Sequence, residues 1–333
     1  RRRVHGCLVH VDIVGDKIWI QADGTERGVA PTLVRGGIAP ERIMVTAGGS
    51  AALLLVCALL VDRDDEILLT DPSYPCNRHF VRVMEGVPRT INVGPEERYQ
   101  FTADLIDKAW GAKTKGVLVA SPSNPTGTSV KDGELKRIVD CVAARGGALI
   151  SDETYAGLNY GRKPETVLAH TDDAFSINSF SKYFNMTGWR LGWVVAPERH
   201  VRDLEKLAQN LYISPAALSQ NAALACFTDA GYAIAEQRRA EFEARRNYFA
   251  NALTNIGFKI PVMPDGGFFV YADVTAFTTD SEAFALDILN RTGVSFAPGI
   301  DFGSYRSREH VRMAYAVSMP KLEEGIRRLA AAL

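Results

Sequence analysis

The sequence predicts an α/β fold, a mainly parallel sheet covered by helices on both faces, followed by a smaller α+β carboxyl-terminal domain. Three observations carry that prediction. Six short apolar runs, Glu66 to Thr70, Arg89 to Val93, Gly116 to Ala120, Ala148 to Asp152, Ala174 to Ser179 and Gly192 to Ala196, have the length and residue types of strands buried on both faces. Helical periodicity fills several of the intervals, most clearly Asp132 to Arg145, as parallel crossovers require. After Pro197 the pattern changes to long helices up to about Ile256 and then to the apolar runs Phe258 to Pro261 and Gly267 to Tyr271. With 333 residues, 47% of them hydrophobic, the chain is long enough for a large core shared between two domains.

The elements follow in order. Residues 4 to 21 alternate as a hairpin, Val4 to Val14 and Lys17 to Gln21, turning at Gly15-Asp16. Ala51 to Val61 is continuously apolar but far short of the roughly 20 residues that span a bilayer, so it reads as a buried helix. The glycine-containing turn Thr46 to Ala51 precedes it and offers free backbone N–H groups at a positive dipole end. The strand at 66 to 70 runs into Pro72-Ser73-Tyr74-Pro75, and Val311 to Val317 alternates like a strand before a final helix after Pro320. The expected division is an atypical segment of hairpin and short helix over 1–43, a large domain over 44–230 and a small domain over 231–333. There are no repeats and no low-complexity tracts.

Composition excludes more than it identifies. A net charge of −1 and a pI of about 6.7 give no electrostatic footprint for nucleic acid, and Arg1-Arg2-Arg3 is too short for a binding arm. Cys7, Cys57, Cys76, Cys141 and Cys226 show neither metal spacing nor a paired framework, which fits a reducing cytoplasm. The six histidines are scattered without ligand spacing, so no metal is expected. No signal peptide or membrane span is expected either.

The chemistry concentrates at strand ends. Lys182 closes Ser179-Phe180-Ser181-Lys182 just past a strand, and Arg190 follows eight residues later. A lysine there can form an imine with an aldehyde cofactor while the hydroxyls and the guanidinium hold a phosphate; an ordinary surface lysine with an arginine nearby would have the same local sequence. Asn124, in Ser121-Pro-Ser-Asn-Pro-Thr-Gly127, falls where α/β folds place ligands, although Asn-Pro also favours a plain turn. Asp152 ends another buried strand, with Tyr155 three residues on. A carboxylate there needs a cationic partner, which a protonated pyridine nitrogen would be; a helix cap or a structural ion pair is the alternative.

Taken together, Asn124-Pro-Thr-Gly127, Asp152 with Tyr155, Ser179-x-Ser-Lys182, Arg190, and Arg312 in Val311-Arg-Met-Ala-Tyr-Ala316 resemble the class I/II aminotransferases of the fold-type I pyridoxal phosphate superfamily. The resemblance covers roughly residues 44 to 333. It implies a seven-stranded type of sheet, pyridoxal 5'-phosphate as cofactor, a homodimer, and an amino acid and a 2-oxoacid as substrates. It further implies that Lys182 carries the cofactor and moves the proton and that Asp152 tunes the ring. Asn124 and Tyr155 would bind the phenolic oxygen, with Asn124 also beside the substrate. Gly49, Ser50 and Ala51, helped by Ser179 and Arg190, would bind the phosphate. Tyr74 would stack on the ring, and Arg312 would grip the substrate carboxylate. A structural ion pair is the other reading of Arg312.

The first 43 residues depart from that family. No tyrosine precedes Tyr74, which predicts weaker cofactor retention than is usual for the fold. Instead His5 to Ile13, Lys17 to Gln21 and Asp23 to Glu26 resemble the carboxyl-terminal part of the XisI-like excision-control family, a divergent arm being the alternative. The functional expectation is an amino-acid aminotransferase. A β-elimination on the same fold, or an impaired cofactor-binding or interaction module, would keep the same residues.

Overall fold

The computed structural model describes residues 11–14, 17–20 and 38–333. At the start of the chain, β1 (Val11–Val14) and β2 (Lys17–Ile20) pair antiparallel with Val14 opposite Lys17. This is the described part of the expected hairpin; residues 4–10, its turn at 15–16 and the short helix expected before residue 38 lie outside the described residues.

The main sheet contains β3 (Ile43–Thr46), β4 (Glu66–Asp71), β5 (Val87–Asn92), β6 (Thr114–Ala120), β7 (Ala148–Asp152), β8 (Phe175–Ser179) and β9 (Gly192–Val195). Their order is β3-β9-β8-β7-β6-β4-β5, as the expected mainly parallel seven-stranded sheet requires. Only β9 is reversed, antiparallel to both β3 and β8. The carboxyl ends of β3, β4, β6, β7 and β8 and the amino end of β9 therefore share one edge.

Both faces of this sheet are buried, and successive residues of a strand serve opposite sides. Leu68, Val117, Val119, Leu149 and Trp193 pack with α3 (Ala103–Ala109) and α4 (Glu134–Ala144). Ile67, Leu69, Leu118, Ile150 and Val194 pack with α1 (Gly49–Leu60), α2 (Pro75–Val83) and α5 (Glu198–Leu211). Each such aliphatic side chain removed from water contributes about 1.5–3 kcal/mol, so the two-sided core fixes the strand ends firmly. Pro88 is tolerated because β5 is an edge strand that need not donate on its outer side.

In the carboxyl-terminal part, β10 (Phe269–Asp273), β11 (Ala297–Pro298) and β12 (His310–Ala314) form an antiparallel sheet of order β10-β12-β11. It packs through Val270, Ala272, Val311 and Met313 against α7 (Asp229–Asn255), α8 (Ser281–Thr292) and α9 (Met319–Ala332).

Several expectations shift. β3 was not among the predicted strands, because only four residues separate a turn from the glycines that end it. The helical stretch after Pro197 is broken into α5, α6 (Ala217–Ala223) and α7, with Pro215 between the first two. Phe258 to Pro261 is not a strand: Lys259 makes a single bridge to Asp273, and Pro261 has no N–H with which to extend it. Among the described residues, no helix is long and apolar enough to cross a membrane.

Candidate active site

One cavity of about 370 Å³ opens at the shared edge of strand ends. Its lining includes Gly49, Ser50, Tyr74, Asn124, Asp152, Tyr155, Ser179, Lys182, Arg190 and Arg312. The structure thus brings together ten residues whose codons are spread over most of the chain. Ala51 is the exception: it lies one step further into α1, outside the lining, and its N–H donates to the Gly48 carbonyl.

Lys182 is half-buried just past β8. Its Nζ lies 5.6 Å from the centre of the Tyr155 ring and 5.5 Å from that of Phe268. Burial lowers its pKa from 10.5, the charges of Arg312 and Arg190 lower it further, and Asp152 opposes them. A neutral amine is the form that attacks a carbonyl or takes a proton, so this setting prepares the group for both.

Asp152 ends β7 and faces the same cavity. Its Oδ1 accepts the Thr154 N–H at 3.1 Å. Desolvation raises its pKa; the Thr154 bonds and the charge of Lys182 oppose the rise without cancelling it. A carboxylate so placed has capacity for a further positive partner inside the cavity.

The phosphate-like end of the cavity is built where β3, β8 and β9 meet. Gly48 has φ +95°, and a Cβ there would lie 2.8 Å from Arg190 Nη2. Glycine is therefore what lets the guanidinium lie over the turn that opens α1. Arg190 itself is left-handed at φ 50° and donates from Nη1 to the Thr187 carbonyl at 2.9 Å. Ser179, also in the lining, accepts the Ser181 N–H at Oγ at 3.1 Å and donates to the Leu191 carbonyl at 3.5 Å. Twelve residues of α1 place their dipole behind Gly49 and Ser50.

The lining also carries Tyr74, Asn124, Tyr155 and Arg312. Tyr74 caps the start of α2, and burial pushes its hydroxyl up to about 12. Buried Tyr155 meets Phe268 and Phe269 edge-on, and desolvation raises its hydroxyl pKa strongly. Arg312 Nη1 donates to Asn124 Oδ1 at 2.9 Å, and its Nε is buried with no hydrogen-bond partner among the described residues.

These residues fit pyridoxal 5'-phosphate. The donor set at one end, two hydroxyls, an arginine and a helix start, suits a dianion; the lysine, its proton affinity lowered by burial, suits an aldehyde; the under-compensated Asp152 suits a protonated ring nitrogen; and the Arg312 Nε suits a substrate carboxylate.

Sequence reasoning missed some of the lining. Thr154, Thr187, Leu53, Phe268 and Phe269 also face the cavity. Thr154 could have been found as the hydroxyl two residues after Asp152, but nothing local marks Phe268 and Phe269. Glu153, next to the site, is fully buried and accepts from Ser151, Thr166, the Val167 N–H and Ser176, which anchors the segment after β7.

Comparison with known proteins agrees with the geometry. Residues 36–329 match the family model of aminotransferase class I and II, and residues 1–48 match that of XisI protein. The chain is 39% identical over 294 residues to a valine–pyruvate aminotransferase of Mycobacterium tuberculosis, covering 88% of this chain and 76% of that one. It is 30% identical over 298 residues to a (5-formylfuran-3-yl)methyl phosphate transaminase of Methanocaldococcus jannaschii, covering 89% and 76%. A crystal structure of an aminotransferase from Mycobacterium tuberculosis superposes with a TM-score of 0.86 at 38% identity, covering 89% of this chain and 77% of that one.

Proposed function

Because this chain belongs to the class I and II aminotransferases and is a pyridoxal phosphate-dependent aminotransferase of fold type I, we propose that its substrates are an amino acid with an uncharged side chain and a 2-oxoacid. The observation that carries this reading is the cation inventory of the cavity. Lys182, Arg190 and Arg312 are the cationic lining residues, each with a task given below, and Leu53, Phe268, Phe269 and Ala314 supply apolar surface. A second carboxylate on the substrate would find no spare positive charge among the described residues. The relative at 39% identity is named for valine and pyruvate, which supports the same reading.

Bound pyridoxal phosphate supplies an aldehyde that captures the amino group and a ring that withdraws electrons from it. The residues do the rest. Ser50, Ser179, Arg190 and the start of α1 hold the phosphate. Asp152 keeps a positive charge at the ring nitrogen, and Asn124 and Tyr155 hold the phenolic oxygen. Tyr74 provides a flat wall. Arg312 binds the carboxylate with its remaining N–H groups and so fixes the direction of the Cα–H bond. Lys182 Nζ, with its lowered proton affinity, takes the proton from that bond and returns it nearby.

A homodimer is part of this proposal, supported by apolar side chains left exposed in one chain: Trp189, next to Arg190 in sequence, Leu211 at the end of α5, Ile213 just past it and Leu218 in α6. A cytoplasmic setting is supported by the free thiols of Cys57, Cys76, Cys141 and Cys226. The deciding experiment supplies an amino acid with an uncharged side chain and a 2-oxoacid to the purified protein with pyridoxal phosphate. Formation of the new amino acid in equal amount to the oxoacid consumed is the expected result. Release of ammonia and pyruvate from a sulfur amino acid instead would replace transfer by elimination, and turnover only with dicarboxylic acids would overturn the substrate class.

A further inference from the structure

Arg312 is held by more than Asn124. Its guanidinium lies between two phenyl rings, 5.3 Å from the centre of Phe269 and 4.7 Å from that of Phe302. Phe269 belongs to β10, next to β12, but Phe302 comes from the connection between β11 and β12, and that connection is fastened to a different part of the molecule. The fastening is Asp71, the last residue of β4, which is only 3% exposed. Its Oδ2 accepts the Ser304 N–H at 2.9 Å and the Ser304 hydroxyl at 2.9 Å. Its Oδ1 accepts the Ser304 N–H at 3.1 Å and the Tyr305 N–H at 3.3 Å.

Two more bonds run alongside. The Ser73 N–H donates to the Phe302 carbonyl at 2.9 Å, and Arg78 Nη2 donates to the Asp301 carbonyl at 2.9 Å. Gly303 lies so close that a Cβ would fall 1.8 Å from Asp71 Oδ1. A buried carboxylate satisfied by N–H and O–H donors on a loop 233 residues away is a strong, directional tie. It is also placed to matter: three residues after Asp71 comes Tyr74, on the cavity wall.

We propose that Asp71 is a positioning residue for substrate recognition, holding the 301–305 loop so that Phe302 seats the Arg312 guanidinium at the substrate carboxylate. This rests on the reading of Arg312 as the carboxylate ligand. Asp71 touches neither substrate nor cofactor; it acts through Phe302. The carboxylate supplies the acceptors, Gly303 permits the approach, and the ring limits the rotamers open to the arginine.

The test uses the holoenzyme. Asp71→Asn presents an amide where both carboxylate oxygens now accept, and it is expected to raise KM for the amino acid and for the 2-oxoacid about tenfold, with kcat held within about threefold. The absorbance titration with pyridoxal phosphate stays as in the unaltered protein. Ser304→Ala, which removes one donor and leaves the backbone bonds, gives a smaller rise of the same kind and serves if the first variant does not fold. On an Arg312→Lys background, Asp71→Asn adds little further to KM. A fall in kcat at constant KM, an equal loss of pyridoxal phosphate affinity, or full additivity with Arg312→Lys would overturn the proposal. If Arg312→Lys itself leaves KM unchanged, the carboxylate reading fails; if it raises KM and neither Asp71→Asn nor Ser304→Ala does, only the role of Asp71 fails.

Discussion

Arg312 Nη1 donates to Asn124 Oδ1 at 2.9 Å, tying β12 to the loop after β6 across 188 residues of chain. One prong of the guanidinium is thereby bound to protein, while Nε remains buried without a hydrogen-bond partner among the described residues. A buried donor left unpaired costs about 1–3 kcal/mol, which a carboxylate reaching the fork would recover. Arg312→Lys keeps the charge and loses the fork. We expect KM to rise about tenfold or more for every amino acid and oxoacid tested, with an unchanged spectrum of the resting holoenzyme. Steady-state kinetics across several substrates checks this; an effect confined to one substrate class would make Arg312 a side-chain specificity residue.

Asp152→Asn tests the demand for positive charge. The amide fits the same space and still accepts from Thr154, so pyridoxal phosphate binding persists. The ring nitrogen is no longer held protonated, and proton removal slows by roughly two to four orders of magnitude. Single-turnover spectroscopy after mixing with amino acid measures that step directly, and a rate near that of the unaltered protein would refute the assignment.

Gly48→Ala tests the turn before α1. The φ of +95° is strained for any L side chain, and the new Cβ would press on Arg190 Nη2 at 2.8 Å. A stability loss of about 1–3 kcal/mol is expected, together with faster loss of cofactor on dialysis because Arg190 is displaced. Calorimetry and cofactor retention read the two effects, and normal retention would place Arg190 outside the phosphate site.

Lys182→Met, studied without cofactor, tests the cost of preparing the amine. Burial first, then Arg312 and Arg190, hold the lysine below its ordinary 10.5. A lowered value in the folded state means that the unfolded chain binds the proton more tightly between that value and 10.5. The lysine therefore costs stability in full below the lowered value, and the cost fades as pH rises toward 10.5. Lys182→Met should raise Tm at neutral pH, with an advantage that shrinks toward about pH 10. Thermal scans over that range check the sign; an advantage that grows with pH would contradict it.

The site was legible in the sequence wherever one residue's role follows from its neighbours. Lys182, Asp152 and Asn124 each sit at the end of an apolar run or within four residues of it, and an ionisable or amide group at that position announces itself. The central strands β4, β6, β7, β8 and β9 were legible because burial on both faces leaves an apolar signature; β5 showed itself although it is an exposed edge strand, and the four-residue β3 did not show. What stayed hidden is long-range. Nothing near Asp71 says that its donors lie 233 residues away, and Phe302 reads as one more aromatic residue until its ring is seen against Arg312. The break between α5 and α6 did carry a local signal, Pro215, whereas that between α6 and α7 was hidden because alanine-rich sequence continues from Ala216 to Ala225. Ala51 shows the converse: a residue inside the motif that lies outside the cavity lining, with its N–H donating to the Gly48 carbonyl.

The reversal of β9 has a consequence for how the chemistry can be inherited. Because β9 runs back beside β8, Lys182 and Arg190 sit on one connection, residues 180–191, whose two ends are pinned by the pairing of Ser179 with Gly192. Lys182 and Arg190 thus travel as a single cassette. A loop of different length there would displace both at once. Connections on the other edge of the sheet carry none of the cavity residues, so they are free to drift, and grafts or circular permutations belong there.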